Sequence, residues 1–144
     1  MLKKTVLLLL ISLMGIANSS YAELIPLPTC NKNDNIWVAP AGWEIIYKKK
    51  IPCNGIEINP NLLNAGVKIS DKSSFMVAYF PIINAKKGGP SVVGITTENY
   101  IQDTSTSSQW KLQKMQKDNN LYVCPSDDGD HYTWPTHCPI RKKN

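Results

Sequence analysis

The sequence predicts an all-β or β-rich fold: a small antiparallel sheet, a sandwich or a partly open barrel, with one short helix near Pro60 and two disulfides. Glycine, proline and asparagine interrupt the chain often, so the segments between them are short. Several of these segments have the period of 2 that is typical of strands, and few have the period of a helix. The patterns favour none of the three architectures over the others.

The first 22 residues have the layout of a secretory signal peptide. Lys3 and Lys4 precede an almost continuous apolar run over residues 5–16, and small residues stand at Ser20 and Ala22. This pattern predicts cleavage after Ala22, which leaves residues 23–144 as one domain with a basic C-terminal tail. A transmembrane anchor is the alternative, but the run is shorter than the roughly 20 residues that span a bilayer. We therefore expect a periplasmic or secreted protein without a membrane span after cleavage.

The four cysteines of an exported chain predict two disulfides. We favour Cys30 with Cys53 and Cys124 with Cys138, because each of these bridges closes a local loop. A link between Cys53 and Cys124 is the open alternative, and it would join distant strands. Each local bridge is expected to stabilise the fold by about 3 kcal/mol, since it restricts the unfolded chain.

Two strands and a hairpin are predicted in the first part of the domain. Residues 36–38 form a short apolar strand, and the segment 43–48 has period 2. Asn54-Gly55 suits a type I′ turn, so we expect a hairpin between the isoleucine-rich segments on either side of it. Pro52 lacks a backbone donor and is expected at a sheet edge.

A short helix is predicted next. Asn59 can cap a helix, Pro60 fits the first helical position, and Gly66 can close the last turn. This spacing leaves room for one or two helical turns.

The second part of the domain returns to strands. The segment 75–80, FMVAYF, is apolar on both faces, which predicts a central strand. Residues 84–90 and 102–108 are polar and are expected to be loops. The other predicted strands cover residues 67–70, 91–97, 110–112 and 121–124.

The basic residues are dispersed over the chain. The formal net charge is +5, and loss of Lys3 and Lys4 with the signal peptide lowers it. A nucleic-acid site needs a concentrated basic face with stacking aromatic residues. The basic runs here are short and separate, so we predict no nucleic-acid partner.

The C-terminal stretch contains the best metal-ligand types in the chain. Asp128, Asp130, His131 and His137 carry carboxylates and imidazoles, which bind zinc, copper or calcium. Their spacing fits neither an EF-hand loop nor a histidine pair on one face of an element. Asp-Asp-Gly-Asp also suits an ordinary turn. We therefore treat these four residues as weak candidates and predict no metal and no cofactor.

Aromatic residues offer the second kind of candidate site. Trp37, Trp43 and Trp110 begin or occupy predicted strands, so we expect them in the core. Trp134 lies instead in the loop expected between Cys124 and Cys138, where an aromatic side chain is a candidate contact residue. The candidate binding residues are Trp134, Tyr132 and His131 of this loop, with Lys86 and Lys87 of the loop 84–90.

The sequence contains few of the residues and motifs that are typical of catalytic sites. The chain has two histidines, and it has neither a G-x-S-x-G nor an H-E-x-x-H motif. A carboxylate pair could be drawn from Glu44, Glu57 and Glu98, but a chain with eleven acidic residues always offers some pair. We assign no catalytic residue.

Together these observations predict a small exported, non-enzymatic binding protein of the cell envelope or extracellular space. Its partner would be a protein or a glycan, and its oligomeric state is open. One alternative is a small envelope hydrolase that uses His131 or His137. Another is a metal-binding protein that uses the aspartates and histidines of the C-terminal loop.

Overall fold

The computed structural model describes residues 22–47, 50–70, 72–104, 108–114, 119–125 and 131–144. These residues form ten strands and one 3-10 turn, Pro135–His137. The strands are β1 (Thr29–Asn31), β2 (Ile36–Val38), β3 (Glu44–Ile45), β4 (Asn64–Ile69), β5 (Ser74–Pro81), β6 (Val92–Thr97), β7 (Tyr100–Gln102), β8 (Lys111–Lys114), β9 (Asn120–Cys124) and β10 (Ile140–Lys142). The predicted β-rich class is therefore confirmed.

A six-stranded antiparallel sheet dominates the described part of the chain. Its strand order is β3-β6-β5-β4-β9-β8, so the apolar strand β5 lies inside the sheet as predicted. Two small antiparallel ribbons, β1-β2 and β7-β10, complete the described strands. The ribbons account for three strands that the sequence pattern did not predict: β1, β7 and β10.

The core lies against one face of the six-stranded sheet. Alternate residues of its central strands point to that face and are almost fully buried: Ala65, Val67, Met76, Ala78, Phe80, Val93 and Ile95. Each large apolar side chain buried in this way stabilises the fold by about 1.5–3 kcal/mol. The other face carries the residues between them, which is the alternation that strands impose.

Three tryptophans are buried, as expected. Trp43 stacks on Tyr100 with ring centroids 5.8 Å apart. Trp110 donates its indole N–H to the carbonyl oxygen of Pro139 at 2.7 Å. Trp37 belongs to a second cluster beside the disulfide residue Cys53. All three are less than one tenth exposed.

Both disulfides have the favoured pairing. Cys30 is bonded to Cys53, and Cys124 is bonded to Cys138. The alternative link between Cys53 and Cys124 is therefore wrong. Cys124 and Cys138 have no exposed surface, so the second bridge lies inside the core.

The short helix predicted near Pro60 is wrong. Asn59 accepts a hydrogen bond from the backbone N–H of Asn61 at 2.9 Å, but the chain makes only a turn there. Leu63 then pairs with Thr133, and Gly66 lies within β4 instead of closing a helix. Strand pairing takes up the backbone groups that a helix would have used.

The segments on either side of the Asn54-Gly55 turn also differ from expectation. Gly55 has φ +75°, as the turn requires. The flanking segments do not pair with each other, because Pro52 bridges to Ile36 and Ile58 bridges to Ile82. A turn forms at Asn54-Gly55, but it is not the predicted type I′, because Gly55 has positive φ and Asn54 does not. The predicted hairpin is wrong. The predicted strand 43–48 is likewise reduced to the two residues of β3.

Within the described residues, no helix has the length and hydropathy needed to cross a bilayer. The apolar run of the predicted signal peptide lies outside these residues, so its role stays a prediction.

Candidate functional site

Strand β9 is continued in the sheet by a separate segment of chain. β9 pairs with β4 as far as Cys124, opposite Ala65. Immediately before β4, Leu63 and Thr133 exchange two backbone hydrogen bonds of 2.9 Å each. The residues after His131 therefore lie beside β4 in the position that β9 occupies up to Cys124. The loop from Cys124 to Cys138 thus belongs partly to the sheet.

This pairing places tyrosines on the outer face of the sheet. Thr133 is buried opposite Leu63, so alternation turns Tyr132 to the outer face, across from Asn64. On the other side of Asn64 lies Tyr79 of β5. Tyr132, Asn64 and Tyr79 thus form a row of outward-facing side chains across three adjacent strand positions.

At two positions of this outer face, a glycine leaves the backbone without a side chain above it. Gly94 is opposite Tyr79, and a Cβ on Gly94 would lie 3.0 Å from the Tyr79 ring and 2.8 Å from Cδ1 of Ile46. The absence of a side chain lets the ring rest on the backbone. Gly66 lies between Val77 and Val123 in the next row, and it leaves the sheet surface open there.

A groove of about 440 Å³ lies over this outer face of the sheet, and Gly66 is part of its lining. We call it the tyrosine groove. Its apolar floor comes from neighbouring strands, and polar groups stand around it. The residues used below are Asn64, Gly66, Tyr79, Ser91, His131 and Tyr132. None of the described side chains that line it is an aspartate, glutamate, lysine or arginine. The described lining therefore presents aromatic and polar groups.

A third tyrosine is close to the first two. Burial raises the pKa of the Tyr47 phenol, and the neighbouring phenols of Tyr79 and Tyr132 raise it further. Tyr47 is 40% exposed, so its ring is accessible to a ligand. Tyr47, Tyr79 and Tyr132 come from three separate segments, which the fold brings together.

The candidate residues of the C-terminal loop have different surroundings. Tyr132 and His131 line the tyrosine groove, and His131 is exposed. Trp134 is 60% exposed and has extended backbone angles, φ −70° and ψ 143°. Because two residues along an extended chain share a side, Trp134 projects on the same side as Tyr132. The expectation that Trp134 stands outside the core agrees with its exposure.

His137 has a structural partner. The Thr133 hydroxyl oxygen lies 3.2 Å from Oε1 of Gln109 and 2.7 Å from Nδ1 of His137. An amide oxygen only accepts, so the hydroxyl donates to Gln109 and accepts from the His137 Nδ1–H. Thr133 is 8% exposed, and the backbone N–H of Gln109 also donates to the His137 carbonyl at 2.7 Å. The hydroxyl is therefore used to join two segments and is not presented to a substrate.

The weak metal candidates are only partly described. Asp128 and Asp130 lie outside the described residues. Among the residues that the structure covers, no group of three or more histidines, cysteines, aspartates or glutamates is placed to hold a metal ion. His131 and His137 face different surroundings, the groove and Thr133 respectively.

The two lysine candidates lie away from the tyrosine groove. Lys86 lines a separate small cavity of about 200 Å³ near the Asn54-Gly55 turn. Asn84 braces that region by donating to the Gly55 carbonyl at 2.6 Å. Lys87 is exposed in the same loop. The structure thus does not bring the lysines together with the loop candidates.

Two of the three glutamates considered for catalysis share a cavity. Glu44 and Glu98 line a hollow of about 530 Å³ beside Phe75, and both are exposed. Glu57 pairs instead with Ile83 through its backbone carbonyl at 2.8 Å.

Comparison of the chain with known protein families, curated proteins and solved structures finds no match. Function is therefore inferred from the geometry of the tyrosine groove. Tyr47, Tyr79 and the two strand glycines were not among the candidate residues predicted from the sequence. Their presence within apolar segments of period 2 is visible in the sequence. That they lie close together follows only from the strand register.

Proposed function

We propose that this protein is an exported, non-enzymatic binding protein, and that the tyrosine groove is its contact surface. The observation that supports this function is the convergence of Tyr79 and Tyr132, from separate segments, in the lining of an open groove of about 440 Å³, with Tyr47 near both. Grooves lined by apolar and aromatic groups with a few polar groups are typical binding sites. The two disulfides are consistent with an oxidising, exported environment.

Binding is favoured over hydrolysis by the state of the groups that a hydrolase would need. The described hydroxyl nearest His137 is buried and already has two side-chain partners. A nucleophile has to reach the substrate while a positioned base removes its proton. The Thr133 hydroxyl does not meet the first condition, since its residue is 8% exposed.

A pull-down from an envelope extract tests the proposed function. The bait is the protein from Glu23 onward, and the groove variant is Tyr132→Ala. Ile83→Ala is the matched control, because Ile83 is 63% exposed and lies outside the groove lining. We expect wild type and Ile83→Ala to retain the same protein or glycan, and Tyr132→Ala to lose it. Capture that is equal in all three baits would contradict the proposal, as would capture by none of them.

A further inference from the structure

We infer that the outer face of the six-stranded sheet is a dimer interface, on which a second copy of this chain packs face to face. This inference rests on the proposed function, because the tyrosine groove lies on the same face, and it names the partner of that surface. Three observations support it: an exposed apolar centre, opposite charges on the two halves of the face, and a match of large and small residues across its middle.

The centre of the outer face is apolar and partly exposed. Strand register places Val77, Gly66 and Val123 in one row across β5, β4 and β9. Phe75 and Leu121 lie in the next row of the same face, and Phe75 is 39% exposed. A sheet buries its apolar face against another layer, and two sheets pack face to face about 10 Å apart. The outer face therefore fits a second sheet.

The two halves of the outer face carry opposite charges. Glu44 of β3 and Glu98, which follows β6, line the hollow of about 530 Å³ at one end of the sheet. Lys68 in β4 and Lys111 in β8 lie on the other half. Lys111, in the sixth strand, belongs to the same row as Glu44 in the first. These positions follow from strand register and do not depend on where residues 126–130 lie.

This charge pattern is self-complementary about a two-fold axis that runs along the strands between β5 and β4. In a closed dimer the same patch of both copies forms the interface. Such an axis turns the first strand of one copy to the sixth strand of the other, so that Glu44 of each copy faces Lys111 of the other. A two-fold axis across the strands would instead place like charges over each other, which electrostatic complementarity disfavours.

Large and small residues also match about the axis along the strands. Val77 and Gly66 are direct cross-strand partners, one on each side of this axis. The axis therefore places Val77 of each copy over Gly66 of the other. Gly66 lines the tyrosine groove, so the surface above it is open and has room for a valine side chain. Interdigitation of this kind fills the space between two facing sheets.

The size of the outer face approaches that of a specific interface. Six strands about 4.8 Å apart cover about 29 Å, and a strand of six residues is about 20 Å long. The projected area is therefore roughly 600 Å², and the relief of the side chains raises the accessible area above it. Stable protein interfaces bury about 800 Å² per partner.

The test is sedimentation velocity with light scattering over a concentration series of the protein from Glu23 onward. We expect the mass of a dimer at high concentration. Glu44→Lys and Lys111→Glu each place like charges at both ends of the interface and should raise the dissociation constant about tenfold or more. Glu57→Lys and Lys86→Glu are the matched controls, because they make the same charge changes on exposed residues outside the sheet. Both controls should dimerise like wild type.

Charge exchange makes the test specific for the two-fold arrangement. In an equimolar mixture of the Glu44→Lys and Lys111→Glu proteins, each contact again joins opposite charges, so a mixed dimer should form with about the wild-type affinity. The double variant Glu44→Lys/Lys111→Glu should recover for the same reason. A loss in the single variants without recovery in either combination would overturn the inference, and so would an equal loss in the two controls.

The outcomes also separate this inference from the proposed function. A wild-type protein that stays monomeric at every concentration would overturn the inference. The proposed function would still stand if the pull-down then shows groove-dependent capture of another protein or a glycan. A dimer that behaves as expected, while Tyr132→Ala captures like wild type, would contradict the proposed function alone. Circular dichroism and urea unfolding of each variant show whether a loss of association comes from loss of the fold.

Discussion

Trp110 and Trp134 are the same residue type in opposite surroundings. Trp110 is 7% exposed and donates to Pro139, whereas Trp134 is 60% exposed on the side of Tyr132. Trp110→Ala should therefore lower the free energy of unfolding by about 3–5 kcal/mol, because it leaves a cavity and an unpaired carbonyl. Trp134→Ala should change it by less than about 0.5 kcal/mol. Urea unfolding measures both values.

The same Trp134→Ala protein is expected to lose its partner in the envelope pull-down. The physical reason is that an exposed ring beside the tyrosine groove can extend the contact area without packing in the core. A clear drop in stability for this variant would show that Trp134 packs, and its role as a contact residue would then be rejected.

Gly94 and Gly66 make a second matched pair on the outer sheet face. A Cβ at Gly94 would lie 3.0 Å from the Tyr79 ring, whereas at Gly66 the nearest atom is 3.6 Å away. We expect Gly94→Ala to cost about 1–3 kcal/mol through overpacking, since the Tyr79 ring has to move. Gly66→Ala should be neutral or stabilise the fold by up to about 1 kcal/mol, because alanine restricts the unfolded chain. Equal urea midpoints for the two variants would contradict this description of the outer sheet face, where Tyr79 and Ile46 cover Gly94 closely.

Residue-level expectations held where burial follows from pattern alone. Trp37, Trp43 and Trp110 lie in period-2 segments and are buried, and the cysteines paired locally. Tyr79 was hidden within FMVAYF, because an interior strand is apolar on both faces and its outer residues resemble core. The outer position of Tyr132 depends on the Leu63–Thr133 pairing, which joins residues far apart in sequence.

At the level of elements, the Cys124–Cys138 bridge fixes the segment that replaces β9. Cys124 ends β9, and Cys138 follows the 3-10 turn after Trp134. The bridge therefore holds both ends of the chain that carries His131 and Tyr132. The Cys30–Cys53 bridge ties β1 to the second core cluster, and neither of its cysteines lines the groove.

The two bridges should differ in their effect on binding more than on stability. Their cysteines are 14 and 23 residues apart, so the chain-entropy model gives each about 3 kcal/mol. We expect both double variants, Cys124→Ala/Cys138→Ala and Cys30→Ala/Cys53→Ala, to lose about this amount in urea unfolding. Only the first should also lose groove-dependent capture, measured at a temperature where both are folded. Equal loss of capture would show that Cys124–Cys138 does not position the groove wall specifically.

Elements were predicted well where local pattern and tertiary pairing agree. Strands over 75–80 and 91–97 have strong apolar patterns and match β5 and β6 closely. The helix near Pro60 failed because Asn59 and Pro60 favour any tight turn, and pairing with Thr133 then made the following residues a strand. β7 and β10 were missed because they are polar and short and depend on each other across a long sequence separation.

On the scale of the whole molecule, Glu23 pairs with Ile140 of β10, the last strand of the described residues. Glu23 and Ile140 exchange backbone hydrogen bonds of 2.8 and 2.9 Å. Burial raises the pKa of the Tyr100 phenol, and the charge of Glu23 and its hydrogen bond to this phenol raise it further. Glu23, at which the predicted mature chain begins, is thus held by both Ile140 and Tyr100.

This closure predicts a graded response to shortening the N-terminus. A chain that begins at Glu23 keeps all of these contacts, and the intact mass of the exported protein is expected to correspond to this start. A chain that begins at Leu24 loses both backbone hydrogen bonds to Ile140 and should be about 1–3 kcal/mol less stable. A chain that begins at Pro26 also loses Ile25, which is 3% exposed, and its free energy of unfolding should fall by about a further 2–5 kcal/mol.

Urea unfolding of the three purified chains measures the series. Equal stability of the Glu23 and Pro26 chains would mean that the first residues are dispensable and that the domain begins later than predicted. A stepwise loss would instead assign residue 23 to the folded unit, because each step removes contacts that cross from the N-terminus to β10 or to the core. The tyrosine groove lies on the opposite face of the sheet from Ile25, so groove-dependent capture should survive in any shortened chain that still folds.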